Sequence, residues 1–221
     1  MKSIVEAVIF DMDGVLIDTH RCAYSVLADC ATSYGAKVTV DEIMGWGSLS
    51  SRQFWSKIKK DWSLEQSLDE LVASYDYEKE MSYYPKIGLL PGVEALFSAI
   101  ISEGLRIGVA TSAEQIRIER VLNLGDLSRH ISSIVGAEDV EKHKPHPECY
   151  IKSCAALGFN PNHCLVIEDS SNGANAAKDA GCLLAAYQGS MWEHDPFEAD
   201  FYIKDFRAVT SIAELTTQKN N

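Results

Sequence analysis

The sequence predicts an α/β fold: a Rossmann-like parallel sheet with helices on both faces and an α-helical subdomain inserted near the N-terminus. Along most of the chain, short apolar segments of strand length alternate with amphipathic segments of helical length. Between about residues 19 and 87 this alternation stops and only helical patterns remain. The 221 residues, 46% of them hydrophobic, are enough for one large core with such an insert. We therefore predict a core domain of residues 1–18 and 88–221 and a helical cap of residues 19–87.

The elements of the core follow one another in order. The predicted strands are Ala7–Phe10, Arg106–Ala110, Ser133–Val135, Cys164–Ile167, Leu183–Tyr187 and Phe201–Ile203. The predicted core helices are Gly92–Glu103, Glu114–Leu122, Pro147–Leu157 and Gly173–Ala180. The predicted cap helices are Arg21–Tyr34, Asp41–Met44, Ser50–Lys60 and Leu64–Tyr83, and residues 85–88 close the segment. Functional groups are expected beyond the carboxyl ends of the strands.

Composition excludes several classes of partner. The formal net charge of -12 argues against nucleic acid or an anionic membrane surface. No segment resembles a transmembrane span, and the N-terminus leads directly into a strand, so we expect a cytoplasmic protein. The six cysteines are scattered, which favours small buried side chains in a reducing compartment over disulfides or a zinc site.

The first strand ends in two aspartates, Asp11 and Asp13. Side chains alternate along a strand, so both carboxylates are expected on one side, and Gly14 allows the backbone to turn there. Two like charges beside an apolar strand need a cation or a shared proton, which indicates a magnesium-dependent nucleophile site. In phosphoryl transfer, one carboxylate would attack phosphorus and the other would move the proton. A solvated loop or a plain cation site is the alternative for the pair alone.

Two later segments carry groups suited to phosphate. Thr111 and Ser112 end a strand before a helix, where hydroxyls and free backbone N–H groups form an anion cradle; simple helix capping is the alternative. Lys144 lies in a proline-flanked loop, where its ammonium group could balance the charge of the nucleophile and the phosphoryl group. His143 and His146 are interpreted as exposed loop residues, because no further histidine or thiolate lies at ligand spacing.

A fourth strand end carries Glu168 and Asp169. Magnesium prefers oxygen ligands, so a carboxylate here could complete a site begun at Asp11. A capping acid at a helix start is the alternative for either residue. Four such signals at successive strand ends favour one common site.

This ordered set of motifs resembles the haloacid dehalogenase superfamily of phosphohydrolases, in the branch with a helical cap that is related to β-phosphoglucomutase and phosphoglycolate phosphatase. The resemblance implies that Asp11 is the nucleophile and Asp13 the general acid/base. It also implies that Thr111 is the phosphate-binding hydroxyl and Lys144 the charge-balancing lysine.

The same resemblance implies a Mg²⁺ cofactor. Its ligands would be the side chain of Asp11, the main-chain oxygen of Asp13, and Asp169 with Glu168 beside it, directly or through water. The second aspartate is absent from the dehalogenases proper, so its presence points to phosphate esters.

Within the superfamily, the chain resembles a phosphatase more than a mutase. Arg52 matches a cap arginine with which the mutase grips a second phosphate, although a solvated helical arginine is an equal alternative. Ala23 stands where the mutase has a cap histidine, and His20 is nearly one helical turn away. Glu114 stands where the mutase has a lysine.

We therefore expect a magnesium-dependent phosphatase that hydrolyses a small phosphate monoester through an aspartyl-phosphate. A sugar phosphomutase of the β-phosphoglucomutase type and a non-catalytic protein that binds a phosphorylated ligand are the alternatives. The expected partner is a small phosphorylated metabolite, without nucleic acid or membrane, and the chain is expected to be a monomer or small homo-oligomer. Substrate choice is expected to depend on cap residues such as Trp46, Ser48, Arg52 and Trp55.

Overall fold

A six-stranded parallel sheet forms the centre of the structure, a computed structural model that describes residues 5–46, 49–189 and 197–217. The strands are β1 (Ala7–Phe10), β2 (Arg106–Ala110), β3 (Ile131–Val135), β4 (Cys164–Glu168), β5 (Leu183–Tyr187) and β6 (Phe201–Ile203). Their order across the sheet is β3-β2-β1-β4-β5-β6, and every neighbouring pair is parallel. The predicted α/β fold is confirmed.

Helices occupy most of the connections. They are α1 (His20–Ser33), α2 (Val40–Met44), α3 (Ser51–Trp62), α4 (Leu68–Ala73), α5 (Tyr77–Ile87), α6 (Val93–Ser102), α7 (Gln115–Leu122), α8 (Glu148–Leu157), α9 (Ser171–Ala180) and α10 (Ile212–Leu215). In the part of the chain that the structure describes, none of these helices has the length and apolar character needed to cross a bilayer.

Strand β1 is central because it is apolar on both faces. All its residues are buried, and β2 and β4 pair with it on either side. Ile9 belongs to a buried cluster with Tyr150 of α8 and Ala177 of α9. The next residue, Phe10, packs its ring against Phe97 of α6, with 4.9 Å between the centroids. Because successive side chains point to opposite faces, helices cover both faces of the sheet.

The order of the strands reverses beside β1. The chain runs outward from β1 to β2 and β3, and then continues on the other side of β1 with β4. A ligand site is expected at such a switch point, in the crevice beyond the carboxyl ends of the strands. The parallel register brings the ends of β1, β2 and β4 to one edge, where Asp11, Thr111 and Glu168 lie.

Residues Thr19–Lys86 form one compact unit and the rest of the chain forms another. The sequence prediction placed the second boundary one residue later, after residue 87. Three helices of this helical unit begin with reciprocal capping boxes, which pair an N-cap hydroxyl with an acid or amide three residues on: Thr39 with Glu42, Ser50 with Gln53, and Ser67 with Glu70.

The predicted helix Leu64–Tyr83 is wrong, because two helices occupy this segment. The capping box of Ser67 starts α4, which ends at Ala73. The hydroxyl of Ser74 then donates to Leu71 O, and Asp76 Oδ1 accepts the Lys79 N–H to begin α5. These local side-chain contacts compete with a continuous helix. The helical segment closes within residues 85–88, as predicted, because α5 ends at Ile87.

Candidate active site

A buried lysine joins the ends of three neighbouring strands. Lys144 Nζ donates to Asp11 Oδ1 at 2.7 Å, to Glu168 Oε1 at 2.7 Å and to Ala110 O at 3.0 Å. Its side chain is 7% exposed, so these ion pairs form away from bulk water. Burial lowers the pKa of Lys144, but attraction to Asp11 and Glu168 outweighs it, and the pKa lies well above its usual value. The predicted nucleophile and the predicted lysine are therefore in direct contact.

The loop that carries Lys144 is held by the helix that follows it. The Glu148 carboxylate, in the first turn of α8, accepts the N–H groups of Glu141 and Lys142, each at 3.0 Å. His146 Nδ1 accepts the Glu148 N–H at 3.3 Å, and this histidine is exposed, as the loop interpretation predicted.

Glu168 accepts hydrogen bonds on both carboxylate oxygens. Besides Lys144, the hydroxyl of Tyr150 donates to Oε1 at 2.8 Å. Oε2 accepts the N–H groups of Asp169 and Ser170 and the Ser170 hydroxyl, at 3.0, 3.1 and 3.0 Å. Burial raises the pKa of Glu168, but Lys144 and these hydrogen bonds outweigh burial and lower it. Tyr150 was not predicted as a site residue, because it occupies an apolar position of its helix and the local sequence does not indicate its hydrogen bond to Glu168.

The acidic residues also form a cluster suited to a cation. Asp11, Glu168 and Asp169 are buried and each offers one carboxylate oxygen, all within 4.8 Å of one another. Burial raises the pKa of Asp11 to about 7, with Lys144 offsetting part of the effect. Burial and the neighbouring carboxylates raise the pKa of Asp169 well above its usual value. An all-oxygen donor set with excess negative charge fits Mg²⁺.

Two glycines let the backbone approach these carboxylates. Gly14 has a φ of +82°, and a Cβ there would lie 1.9 Å from Asp169 Oδ2. A Cβ on Gly173 of α9 would lie 1.6 Å from Glu168 Oε1. Any larger residue at either position would therefore displace an acid of the cluster.

Asp13 lies at the same edge and pairs with an arginine. Arg117 Nη2 lies 2.9 Å from Asp13 Oδ1, and the two side chains are 18% and 26% exposed. Sequence reasoning missed Arg117, although a signal exists. A cation in the first turn of a helix is disfavoured by the helix dipole, so its presence indicates an external anion.

The predicted phosphate cradle at Thr111 lies beside a helix start that already holds one carboxylate. Thr111 is buried and its Oγ1 accepts the Ala113 N–H at 3.0 Å, which leaves the hydroxyl proton for another acceptor. Ser112 is exposed. One N–H group at the start of the next helix is already paired, because the Gln115 N–H donates to both oxygens of Glu138 at 3.1 Å. A carboxylate already stabilises this helix end.

The four residues of the helical unit that were expected to contact substrate differ in exposure. Arg52 pairs with Asp69 at 2.6 Å, and both side chains are largely exposed. Trp46 is partly exposed, and the Lys57 ammonium lies 4.8 Å from its ring centroid. Trp55 has no exposed surface, so its expected role as a substrate contact is wrong for this conformation. Ser48 lies outside the described residues.

The chain is similar to known proteins. The family of haloacid dehalogenase-like hydrolases matches residues 8–187. The chain belongs to this family. This hydrolase is 27% identical over 225 residues to hexitol phosphatase B of Escherichia coli (strain K12), covering 96% of this chain and 95% of that protein. It is 33% identical over 181 residues to a phosphorylated carbohydrates phosphatase of Thermotoga maritima, covering 80% and 82%.

A solved structure shows the same fold. The β-phosphoglucomutase of Clostridium difficile superposes on this hydrolase with a TM-score of 0.71 at 24% identity, over 93% of each chain. Membership of the haloacid dehalogenase superfamily is thus confirmed. The prediction of a phosphatase is also confirmed, since the two curated relatives are phosphatases.

Proposed function

We propose that this hydrolase is a cytoplasmic, Mg²⁺-dependent phosphatase that cleaves a small phosphate monoester through an aspartyl-phosphate at Asp11. The contact of 2.7 Å between Asp11 and Lys144, at the end of the central strand, is the observation that supports it best. It keeps a nucleophilic carboxylate beside a cation that can balance a transferring phosphoryl group. Six free cysteines, most of them buried, suit a reducing compartment.

The reaction has two halves. In the first, an Asp11 oxygen bonds to phosphorus while the bond from phosphorus to the leaving oxygen breaks, and Asp13 gives that oxygen a proton. In the second, a water oxygen bonds to phosphorus, the acyl-phosphate bond breaks, and Asp13 accepts the proton from water. Asp11 is thereby regenerated.

The phosphate oxygens need donors that do not move during the reaction. Lys144 supplies a fixed positive charge beside them, because its three N–H groups are held by three acceptors. The Thr111 hydroxyl is a donor, since its oxygen is oriented by the Ala113 N–H. We assign Ser112, exposed beside Thr111, as a further donor to the substrate.

The donor set also supports the metal assignment. Asp11, Asp169 and the main-chain oxygen of Asp13 would hold Mg²⁺, with Glu168 beside them. When bound, the ion supplies positive charge to the phosphoryl oxygens. Glu168 is proposed to act chiefly through Lys144, because both its oxygens already accept hydrogen bonds.

The substrate class is proposed to be phosphorylated sugars or sugar alcohols. The names of the two curated relatives support this class, and the helical unit is inserted directly after the segment that carries Asp11 and Asp13. We propose that the unit acts as a cap that selects the substrate, with Arg52 among its contacts. The shared fold with β-phosphoglucomutase favours a mutase as the second candidate, whereas Ala23 and Glu114 count against it.

A panel of phosphate esters tests the proposal. Wild-type protein with Mg²⁺ should release inorganic phosphate from sugar or polyol phosphates, and EDTA should abolish the release. Conversion of a hexose 1-phosphate to the 6-phosphate without phosphate release would instead show a mutase. Inactivity on the whole panel, with retained binding of a phosphorylated ligand, would show a non-catalytic protein.

A further inference from the structure

We propose that Arg117 is a positioning residue that holds the Asp13 side chain in place for proton transfer. The inference rests on the proposed function, in which Asp13 serves both halves of the reaction. It concerns a contact made across the fold: Arg117 lies on α7, 104 positions after Asp13 in the chain.

The pair differs from the exposed arginine pairs of this protein. Arg117 and Asp13 have 18% and 26% of their side chains exposed. By contrast, the side chains of Arg52, Arg129 and Arg207 are 61%, 65% and 69% exposed in their ion pairs. Exposed pairs contribute little to order, whereas a largely buried guanidinium holds its partner in one geometry.

Helix stability does not explain the position of Arg117. It is the third residue of α7, where the helix dipole disfavours a cation. The N–H of Gln115 at this helix end is already paired with Glu138. The contact with Asp13 gives Arg117 a compensating anion.

Proton transfer requires the acid or base to lie within hydrogen-bond reach of the reacting oxygen. A carboxylate on a loop after a strand can rotate away from that position. With Oδ1 bound to Arg117, the rotation is restricted, so the carboxylate stays within reach of the leaving oxygen and then of water. The guanidinium itself neither gives nor takes a proton in this scheme.

The test compares two leaving groups. An alkyl phosphate needs a proton on its leaving oxygen, whereas p-nitrophenyl phosphate releases a stabilised phenolate that needs little protonation. Arg117→Met keeps the apolar stem of the side chain and removes the guanidinium. We expect kcat/KM for the best alkyl phosphate of the panel to fall ~10- to 100-fold, and for p-nitrophenyl phosphate less than ~3-fold. For the alkyl phosphate, kcat/KM of Arg117→Lys should lie between the values of wild type and Arg117→Met. Arg129→Met removes an arginine from an exposed ion pair and should match wild type on both esters.

A double-mutant cycle separates positioning from other roles. In the Asp13→Asn background, Arg117→Met should cause no further loss on the alkyl ester. Equal losses on both esters, or additive losses in that background, would overturn the inference and indicate direct phosphate binding or structural damage. If Arg117→Met has wild-type rates while Asp13→Asn is strongly impaired, the role of Arg117 is refuted and the proposed function stands. If Asp13→Asn has wild-type rates, the proposed acid/base is refuted. Arg117→Lys replaces Arg117→Met in the cycle if Arg117→Met fails to fold.

Discussion

The two compact units of this chain hold their polar groups in different ways. In the α/β core, buried charged groups beside the strand ends contact one another, as Lys144 contacts Asp11 and Glu168. In the helical unit, three capping boxes supply local polar contacts, and the Arg52–Asp69 pair is exposed. The core thus has a site in which each group is fixed by others, whereas the surface of the helical unit can change at little cost in stability.

One buried acid in the helical unit provides an internal comparison. Glu80 is buried and accepts the hydroxyl groups of Tyr75 and Tyr84. Glu168 in the core is buried as well and accepts the hydroxyl of Tyr150. Both sites contain a hydrogen bond from a tyrosine hydroxyl to a buried glutamate. If removal of that hydroxyl affects catalysis at one site and not at the other, the difference reflects the unit in which the site lies.

The largest expected effect is that of Asp11→Asn. Turnover should fall ~10⁴-fold or more, because the variant lacks the proposed nucleophile. The folded protein should nevertheless gain stability at pH 8 without Mg²⁺, since a buried carboxylate whose pKa is raised from 3.8 to about 7 is removed. The gain is at most about 4 kcal/mol, from ~1.4 kcal/mol per pKa unit. Kinetics and denaturant titration measure both effects.

Asp179→Asn is the matched control, because Asp179 is exposed on α9. It should leave both turnover and stability near wild type. Wild-type turnover in Asp11→Asn, or a loss of stability at pH 8, would contradict the account of the core site.

The second effect is the pH dependence of stabilisation by Mg²⁺. Between the unfolded pKa of 3.8 and the folded pKa of about 7, the folded protein binds more protons at Asp11 than the unfolded chain. The free energy of unfolding contributed by Asp11 therefore falls as pH rises through this window, and the raised pKa of Asp169 acts in the same direction. Mg²⁺ should thus raise Tm more at pH 8 than at pH 5, with ~2.7 kcal/mol of stabilisation at 100 times its Kd. An equal Tm shift at both pH values would argue against the acidic cluster as the metal site.

The third effect compares the two buried tyrosine–glutamate contacts. Tyr150→Phe removes a hydrogen bond to Glu168, which also holds Lys144, so kcat should fall ~10-fold, equivalent to about 1.4 kcal/mol. Tyr84→Phe removes a similar bond in the helical unit and should lower only the free energy of unfolding, by about 1 kcal/mol. Steady-state kinetics and urea titration of both variants separate the two outcomes. A similar kcat loss in both would remove the distinction between the units.

The smallest expected effect on stability is that of Arg52→Met. Its exposed ion pair should contribute less than ~0.5 kcal/mol to the free energy of unfolding. If the helical unit selects the substrate, KM for a sugar phosphate should rise while kcat for p-nitrophenyl phosphate stays unchanged. Unchanged KM values for every ester of the panel would remove Arg52 from substrate recognition.

Much of the core could be predicted because parallel strands are buried on both faces and appear as continuous apolar runs. The bounds of β1, β2, β5 and β6 agree with the prediction, and β3 and β4 extend it slightly. Acids and a hydroxyl directly after such runs predict a site, because parallel strand ends meet at one edge. Lys144 lies in a loop after β3, which is not adjacent to β1, so its contact with Asp11 depends on the fold of that loop as well as on the strand order.

The remaining features depend on contacts that no local pattern shows. Arg117 and Tyr150 lie on helices whose periodicity indicates packing, and their polar partners are 104 and 18 positions away. The hydrophobic pattern continues across the break between α4 and α5, so it does not show that Asp76 caps the start of a new helix. The Glu138 carboxylate that occupies the start of α7 comes from a separate loop.

The central claim is that Asp11 carries the phosphoryl group during turnover. Its most direct test is acid quenching of the wild-type protein while it turns over a substrate with Mg²⁺, followed by mass spectrometry of its peptides. The account predicts a phosphorylated peptide in which Asp11 is the modified residue, and no such peptide from Asp11→Asn. Rapid phosphate release with no phosphorylated peptide at any quench time, or phosphorylation at a different residue, would contradict it.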